Sequence, residues 1–214
     1  MYRNKPFPKN SITHRLFKIA IIYVCKGKYF DRTIESEKVF VQGAEDDAVL
    51  FAQEFTKLQG RFAYCINESE LCNHLAALFA EKGFINIYCS DEKLRPLLLQ
   101  AGIKPYHNLE SCDCSVTGCE YLVARTGSVV LSAKQTDGRT ESVYAPIHIC
   151  IAYNHQLVFD IEDALVFLKE KYKNNLPSFI SFATGPSRTA DIEKTLVTGV
   201  HGPKEAYCFL VEEG

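Results

Sequence analysis

The chain has 214 residues, a mass of 24.1 kDa and a hydrophobic content of 47%, and this size predicts one domain with a full hydrophobic core. Its 24 basic and 26 acidic residues give a net charge of −2, whereas nucleic-acid-binding domains normally carry a basic patch or stripe. The apolar runs are shorter than the roughly 18 residues of a membrane-spanning helix. We therefore expect no nucleic-acid partner and no membrane span.

The cysteines and the start of the chain bear on the compartment. The longest apolar run, at 19–25, is short and has no small-residue cleavage site after it, so we expect no signal peptide. There are nine cysteines, and most of them, such as Cys65 and Cys89, have apolar neighbours, where cysteine behaves as a small core residue. We interpret them as free thiols in a reducing cytoplasm.

Residues 1–44 are interpreted as an N-terminal arm or extension, and residues 45–214 as the folded domain. The first ten residues are polar and include two prolines. Residues 11–24 form either a helix capped by Ser11 or a segment with a buried strand at 19–24. A short continuous apolar run fits both alternatives.

From residue 45 onward, helices and strands alternate, a pattern typical of βαβ units and a parallel sheet. Helices are indicated by apolar residues at helical spacing and by capping residues. The elements predicted up to residue 100 are a helix at 45–58, a strand at 61–66, a helix capped by Asn67 and ended by Gly83, a strand at 84–89, and a helix opened by Ser90 and Asp91 with Pro96 in its first turn.

The second half of the chain is richer in strands. The predicted strands are at 119–124, 128–132, 147–152, 179–183 and 207–211, with a helix at 160–173 and a polar connection at 133–142. A further helix is expected to start after Thr189, with Asp191 and Glu193 in its first turn. The predicted fold class is α/β, one domain with a mostly parallel or mixed sheet.

The densest functional signal is the stretch that begins at Thr184 and continues through Gly185, Ser187, Arg188 and Thr189. Ligands of open α/β sheets bind outside the carboxyl ends of the strands. Backbone N–H groups, hydroxyls and a guanidinium there suit a carboxylate or phosphate. The alternative is structural, with Ser187 or Thr189 capping a helix while Arg188 pairs with Asp191 or Glu193.

Other residues near this stretch are candidates for binding or acid–base chemistry. His201 and Gly202 lie in a glycine-rich loop that can approach a ligand closely, and His201 with Asp191 or Glu193 is a candidate acid–base pair. The turn formed by Thr126, Gly127 and Ser128 can cradle an anion or simply join two strands.

The sequence indicates no metal and no cofactor. Cys112, Cys114 and Cys119 have neither zinc nor iron–sulfur spacing, and His107 is the one further ligand in reach. Neither a dinucleotide-binding glycine motif nor a phosphate-binding P-loop is present.

The stretch from Gly185 to Glu193, followed by Gly199-Val-His-Gly-Pro203, resembles the lactate-utilisation protein C family, the LUD-domain proteins. The segments at 117–128 and 145–149 agree with it, and the likeness extends over about residues 44–214. The resemblance implies a three-layer αβα sandwich similar to that of sugar isomerases and CoA transferases. It also implies a place in bacterial oxidation of L-lactate to pyruvate, with redox chemistry on iron–sulfur partner proteins.

One position departs from the pattern of that group. In the family an acidic residue commonly precedes the Thr-Gly-Ser turn, and CoA transferases use a glutamate nucleophile at a comparable place, but here the residue is Arg125. A guanidinium forms no acyl intermediate, so CoA-transferase chemistry through this position is ruled out. Arg125 is expected to help Arg188 hold an anion or to pair with Glu120 or Glu141.

The leading hypothesis is a cytoplasmic subunit of a lactate-oxidation system that binds a small carboxylate or phosphate-bearing ligand at the strand ends. Arg188 would clamp the anion, Asp191 would orient Arg188, and Ser187, Thr189 and the 126–128 turn would donate hydrogen bonds. One alternative is a stand-alone isomerase or hydrolase that acts on a sugar phosphate or CoA ester. Another is a non-catalytic assembly subunit.

Overall fold

The computed structural model describes residues 44–135, 138–190, 196–198 and 202–212. The predicted arm and its open choice between helix and strand therefore lie outside the described residues. Within the described ranges, every helix is too short or too polar to cross a lipid bilayer.

The described residues form five α-helices and eleven strands. The helices are α1 (Ala44–Lys57), α2 (Glu68–Lys82), α3 (Arg95–Gln100), α4 (Gly138–Tyr144) and α5 (Ile161–Tyr172). The strands are β1 (Arg61–Cys65), β2 (Ile87–Tyr88), β3 (Cys114–Thr117), β4 (Tyr121–Val123), β5 (Ser128–Ser132), β6 (Ile147–Tyr153), β7 (Leu157–Val158), β8 (Ile180–Ala183), β9 (Arg188–Ala190), β10 (Leu196–Thr198) and β11 (Glu205–Val211).

The strands assemble into two main sheets. The parallel sheet has the order β1-β11-β6-β3-β2, and all its pairs are parallel. The mixed sheet has the order β7-β4-β5-β8, with antiparallel pairing on both sides of β5. The α/β class with a mostly parallel sheet is thus confirmed, while the separate mixed sheet is a feature that the sequence pattern did not predict.

The layers follow from which side chains share a core. On one face of the parallel sheet, buried residues of α2 and α3 such as Leu75 and Leu98 pack against Ile149 and Phe209. The opposite face packs against α1 and the mixed sheet. The outer face of the mixed sheet is covered by α5 through Ala164 and Leu168. Helices therefore lie on both faces of the parallel sheet, as predicted.

Local signals explain why α2 begins and ends where it does. The Asn67 side chain accepts a hydrogen bond from the Glu70 N–H, and the Glu70 carboxylate accepts one from the Ile66 N–H. Gly83 ends the helix in the left-handed conformation, with φ 67°. This end suits glycine because a Cβ is unfavourable at positive φ. Both predicted boundaries of this helix are confirmed.

The strand predicted at 84–89 is shorter than expected and covers only Ile87–Tyr88. The Phe84 N–H donates to the Phe79 carbonyl and so completes the end of α2. The N–H groups of Ile85 and Asn86 donate to the Asp113 carboxylate. These backbone donors are therefore engaged before the sheet ladder begins.

The helix predicted from Ser90 and Asp91 begins later, at Arg95, with Pro96 in its first turn as expected. Before it, the N–H groups of Leu94 and Arg95 both donate to the Asp91 carbonyl, which forms a turn. The predicted polar connection at 133–142 contains the start of α4 instead of being irregular throughout.

The prediction that a helix starts just after Thr189 is wrong, because a strand is found there. Residues 188–190 form strand β9, which pairs antiparallel with β10, so that Arg188 lies opposite Thr198 and Thr189 opposite Val197. Pairing between the two segments satisfies backbone groups that a helix would have satisfied locally. Threonine and valine also favour strands because they are branched at Cβ.

Candidate functional site

A cavity of about 250 Å³ lies between the two sheets. Its walls come from the first halves of β6 and β11, from the end of β8 and from the loops next to them. Apolar residues such as Phe55 and Val129 contribute to the lining. The polar lining includes Ser142, His148, Cys150, Ser181, Thr184 and Ser187.

The position of the cavity differs in part from the sequence expectation. It lies at the carboxyl end of β8, as expected for a ligand site in this class of fold. On the parallel sheet, however, it lies against the first half of β6, which contributes His148 and Cys150, and of β11, which contributes Ala206.

Two loops that carry glycine meet at the mouth of this cavity. The Ser187 N–H donates to the Pro203 carbonyl across 2.9 Å, and both residues line the cavity together with Gly185 and Gly202. A Cβ at Gly202 would lie 2.8 Å from the Ser187 Cβ. The absence of a side chain at Gly202 therefore permits this close approach.

Gly185 fixes the direction of the corner after β8. Its φ is +75°, and a Cβ there would lie 2.6 Å from the Leu58 carbonyl oxygen just beyond α1. Positive φ and the contact both require glycine. Packing on α1 thus explains the glycine at this corner, while its predicted part in ligand binding stays a prediction.

The 126–128 turn lies next to the same corner. Thr126 Oγ1 is 2.7 Å from Ser128 Oγ, which is 3.0 Å from Thr184 Oγ1, so three hydroxyls form a continuous chain. Gly127 has φ +60°, and a Cβ there would lie 2.4 Å from the Phe55 nitrogen. The glycine thus lets the turn pack against the backbone of α1. Thr126 bonds to Ser128, and Ser128 also bonds to Thr184; neither Thr126 nor Ser128 lines the cavity.

Arg188 lies beside the cavity and outside its lining. The side chain is exposed, and its Nη2 donates a hydrogen bond to the Leu58 carbonyl, next to the end of α1. A cation is favourable near the carboxyl end of a helix because the helix dipole is negative there. The alternative that Ser187 or Thr189 caps a helix is wrong, because Ser187 precedes and Thr189 belongs to strand β9, which pairs with β10.

Several predicted site residues lie outside the described residues: Asp191, Glu193 and His201. For Thr189 the structure describes only the backbone, in β9. The proposed orientation of Arg188 by Asp191 and the acid–base pair with His201 thus stay predictions.

Arg125 has a different partner from either one expected. Its guanidinium donates to both Asp160 oxygens, across 2.8 and 2.7 Å, and this bond raises the pKa of Arg125. The expected pairing with Glu120 is wrong, because Glu120 is buried and accepts bonds from Ser132, Lys171 and Tyr172. Pairing with Glu141 is not found either.

His148 is a cavity residue that sequence reasoning did not single out for chemistry. Its Nε2 lies 2.8 Å from Thr117 Oγ1, and among the described residues no group hydrogen-bonds Nδ1. Burial lowers the pKa of His148, so the ring is neutral at neutral pH. A neutral imidazole offers one donor and one acceptor nitrogen.

Cys150 was also missed, because it looked like a core residue. The alternation His148-x-Cys150 on one strand places both side chains on one face, and this is the signal that could have identified them. The eight cysteines in the described ranges are buried free thiols, and Cys150 is the one of the eight that lines the cavity. Nowhere in those ranges do three or more His, Cys, Asp or Glu side chains cluster as metal ligands.

Comparison with known proteins assigns the chain to a family. A profile of the LUD domain matches residues 92–211, more than half of the chain. The solved structure of a DUF162 family protein from Deinococcus radiodurans superposes with a TM-score of 0.59 at 17% identity and covers 80% of this chain and 99% of that one. Fold and sequence together define an α/β protein of the LUD type. The chain belongs to the LUD domain family.

Relatives with names resemble the chain over part of their length. Lactate utilization protein C of Bacillus licheniformis is 36% identical over 115 residues, which are 53% of this chain and 48% of the relative. The protein of the same name from Halalkalibacterium halodurans is 39% identical over 106 residues, 49% of this chain and 46% of the relative. The chain thus aligns with about half the length of these relatives.

Proposed function

We propose that this chain is a subunit of a lactate-utilisation system and binds a small carboxylate in the cavity between its two sheets. The name of its relatives supports the system, and the chemistry of the cavity supports the ligand class. The observation that carries the proposal is the polar lining, where the hydroxyls of Ser181 and Ser187 form no hydrogen bond with any described residue.

The chemistry of the lining is compatible with an anionic ligand. No acidic side chain is found among the described residues that line the cavity, so none opposes a carboxylate. Hydroxyl groups and an imidazole N–H donate hydrogen bonds to carboxylate oxygens, and bonds to a charged group are stronger than neutral ones. Arg188, which directly follows Ser187, is the cation that we assign to the mouth of the site.

The binding test uses thermal unfolding of the purified chain with L-lactate, pyruvate or inorganic phosphate as probes, and neutral lactamide as a control. A bound ligand at about 100 times its Kd stabilises the folded state by about 2.7 kcal/mol. For a chain of this length, that energy corresponds to a rise in Tm of roughly 5–10 °C. We expect this rise with lactate or pyruvate and none with lactamide.

Variants tie the effect to the cavity. Ser187→Ala and Ser181→Ala should each weaken binding about tenfold, since a hydrogen bond to a charged group contributes about 1.5–3 kcal/mol. Ser69→Ala, on the exposed surface of α2, is the matched control and should bind as the wild type does. Equal Tm shifts in all three variants, or no shift with any carboxylate, would contradict the proposed binding site.

Arg188 is tested separately because its side chain contacts Leu58. Arg188→Ala should weaken binding, and Arg188→Lys should restore part of it by keeping the positive charge. If both variants bind like the wild type, Arg188 has no part in the site and the cavity remains the binding region.

The system is tested in the organism that encodes the chain. Deletion of the gene should prevent growth on L-lactate while leaving growth on pyruvate intact, and the wild-type gene should restore it. Normal growth of the deletion strain on L-lactate would contradict the proposal.

We also propose iron–sulfur partner proteins, as the family resemblance implies. An affinity-tagged chain expressed in its own host should then bring down proteins with bound iron and sulfide, measured by elemental analysis and visible absorption. Elution of the chain alone would count against such partners.

A further inference from the structure

Three cysteines from different parts of the sequence meet behind the cavity. Cys150 on β6 lies opposite Cys208 on the neighbouring strand β11. Cys119, which lies just before β4, belongs to the same buried cluster of side chains as Cys150 and Cys208. Of these three thiols only Cys150 lines the cavity, so the other two support it from within the core.

These buried neighbours affect the acidity of the Cys150 thiol. The neighbouring Cys119 and Cys208 thiols, with a smaller effect of His148, lower the pKa of Cys150 against the opposing effect of burial. The neighbouring Cys150 and burial raise the pKa of Cys119, and burial and Cys150 raise the pKa of Cys208. Cys150 is therefore the most acidic of the three thiols, and the thiolate is the nucleophilic form of cysteine.

A proton acceptor lines the same cavity as the Cys150 sulfur. His148 is two residues before Cys150 on β6, so both side chains are on the same face of the strand and line the cavity. The Thr117 hydroxyl at Nε2 can donate or accept, so the imidazole can take up a proton from the cavity side and return it. The cavity thus holds a nucleophile and a base whose ring is bonded to a third group, which are the components of covalent catalysis.

We propose that Cys150 adds reversibly to the carbonyl carbon of a small 2-oxo carboxylate held in the cavity. The inference rests on the proposed function, since it assumes that a carboxylate enters this cavity and extends its class to 2-oxo acids. The carboxylate of the ligand lies toward Ser187, and its carbonyl carbon lies toward Cys150.

The step balances without an added reactant. As the sulfur–carbon bond forms, the carbonyl π bond breaks and its electron pair moves to oxygen. That oxygen receives the proton which the thiol gave to His148, and the product is a thiohemiketal with a neutral hydroxyl and the unchanged carboxylate of the ligand. Reversal of the same steps releases the 2-oxo acid and restores the thiol, so nothing is oxidised or reduced.

The first test uses bromopyruvate, a 2-oxo carboxylate whose bromide a thiolate displaces to form a stable carbon–sulfur bond. Peptide mapping by mass spectrometry should find one label per folded chain, on Cys150. Pyruvate should slow the labelling, and neutral iodoacetamide should react at least tenfold more slowly. Cys150→Ala should lose the label, whereas Cys72→Ala, in the core on the other side of the parallel sheet, should keep it.

The pH dependence of labelling separates the part of His148 from a structural one. In His148→Gln the rate of labelling should fall about tenfold near neutral pH. It should recover as pH rises, because the Cys150 thiol then ionises without the help of His148. A rate that falls equally at every pH would show that His148 acts only on the shape of the cavity, and would overturn its role as proton acceptor.

The second test observes the adduct in the unaltered chain. With pyruvate carrying ¹³C at its carbonyl carbon, a new resonance of a tetrahedral carbon should appear with the wild type and be absent with Cys150→Ala. Protection by pyruvate with no such resonance would overturn the addition and leave the proposed binding intact. Neither protection nor a Tm shift with pyruvate would overturn both proposals, as would labelling spread over other cysteines with no preference for Cys150.

Discussion

Ser128 and Thr184 are 56 residues apart in the chain, and their side-chain oxygens lie 3.0 Å apart. The antiparallel pairing of β5 with β8 produces this contact, because the start of β5 then lies beside the end of β8. Ser128 is 2% exposed, so the bond is sheltered from water. The turn before β5 and the corner after β8 are thereby held together next to the cavity.

This contact predicts the effect of Ser128→Ala. The change removes the bonds of Ser128 to Thr126 and Thr184, each worth about 0.5–1.5 kcal/mol. We expect the free energy of unfolding in urea to fall by about 1–3 kcal/mol. The exposed control Ser69→Ala should change it by less than about 0.5 kcal/mol, and equal stability of both variants would contradict the role of the contact.

Two glycines with similar backbone angles separate strain from crowding. Gly127 has φ +60° and Gly83 has φ +67°, but only Gly127 has backbone atoms of α1 where a Cβ would stand. Gly83→Ala should cost about 1–2 kcal/mol for the left-handed conformation, and Gly127→Ala about 1–3 kcal/mol more for the clash. Calorimetry would check the order, and a larger loss at Gly83 would contradict it.

His148 makes stability depend on pH. Because burial lowers its pKa below the ordinary 6.5, the unfolded chain binds a proton more readily than the folded one. The contribution is fully present above about pH 6.5 and is lost as pH falls toward the folded pKa. His148→Gln should flatten the slope of unfolding free energy in this range, whereas the exposed control His107→Gln should keep it.

Glu120 acts at lower pH. Burial by itself would raise its pKa, but hydrogen bonds from Lys171, Ser132 and Tyr172 outweigh burial and hold the pKa below the ordinary 4.5. The carboxylate thus stabilises the fold above about pH 4.5 and ceases to do so as pH falls through its folded pKa.

Replacing this carboxylate tests the assignment. Glu120→Gln should lower the free energy of unfolding at pH 7 by about 1–3 kcal/mol, because bonds to a charged acceptor become neutral ones. It should also reduce the loss of stability in acid. Glu92→Gln on the surface should do neither, and acid unfolding of Glu120→Gln like that of the wild type would refute the account.

Much of the fold was predictable because its signals are local. Asn67, Glu70 and Gly83 mark the ends of α2 through contacts within a few residues, and α5 begins at its capping residue Asp160. Apolar spacing identified the helical faces. These features depend on backbone chemistry that nearby side chains satisfy.

The secondary-structure predictions were wrong where a residue distant in the sequence determines the local conformation. The Asp113 carboxylate accepts hydrogen bonds from the N–H groups of Ile85 and Asn86, and no sequence pattern within 84–89 indicates this contact. The hairpin of β9 and β10 likewise depends on pairing between two segments, and the sequence between them looked like the first turn of a helix.

The sequence indicated the glycine corners of the candidate site, but not the cavity residues His148 and Cys150. The glycine corners at 185 and 202 converge because glycine allows close approach, which the sequence indicates. Arg188 meets Leu58, 130 residues away, and Arg125 meets Asp160 instead of an anion. Cys150 has apolar neighbours in the sequence and looked like a core residue. Its position in the cavity wall depends on how β6 pairs with the neighbouring strands.

The cavity has one wall from each sheet, and this has a mechanical consequence. Ser181 and Ala183 belong to β8, which lies at the end of the mixed sheet and pairs only with β5 among the described strands, while His148 and Ala206 belong to the parallel sheet. A molecule bound to both walls braces an outer strand against the centre of the protein. Occupancy would therefore register as slower amide hydrogen exchange along β8, far more than as any rearrangement of the loops.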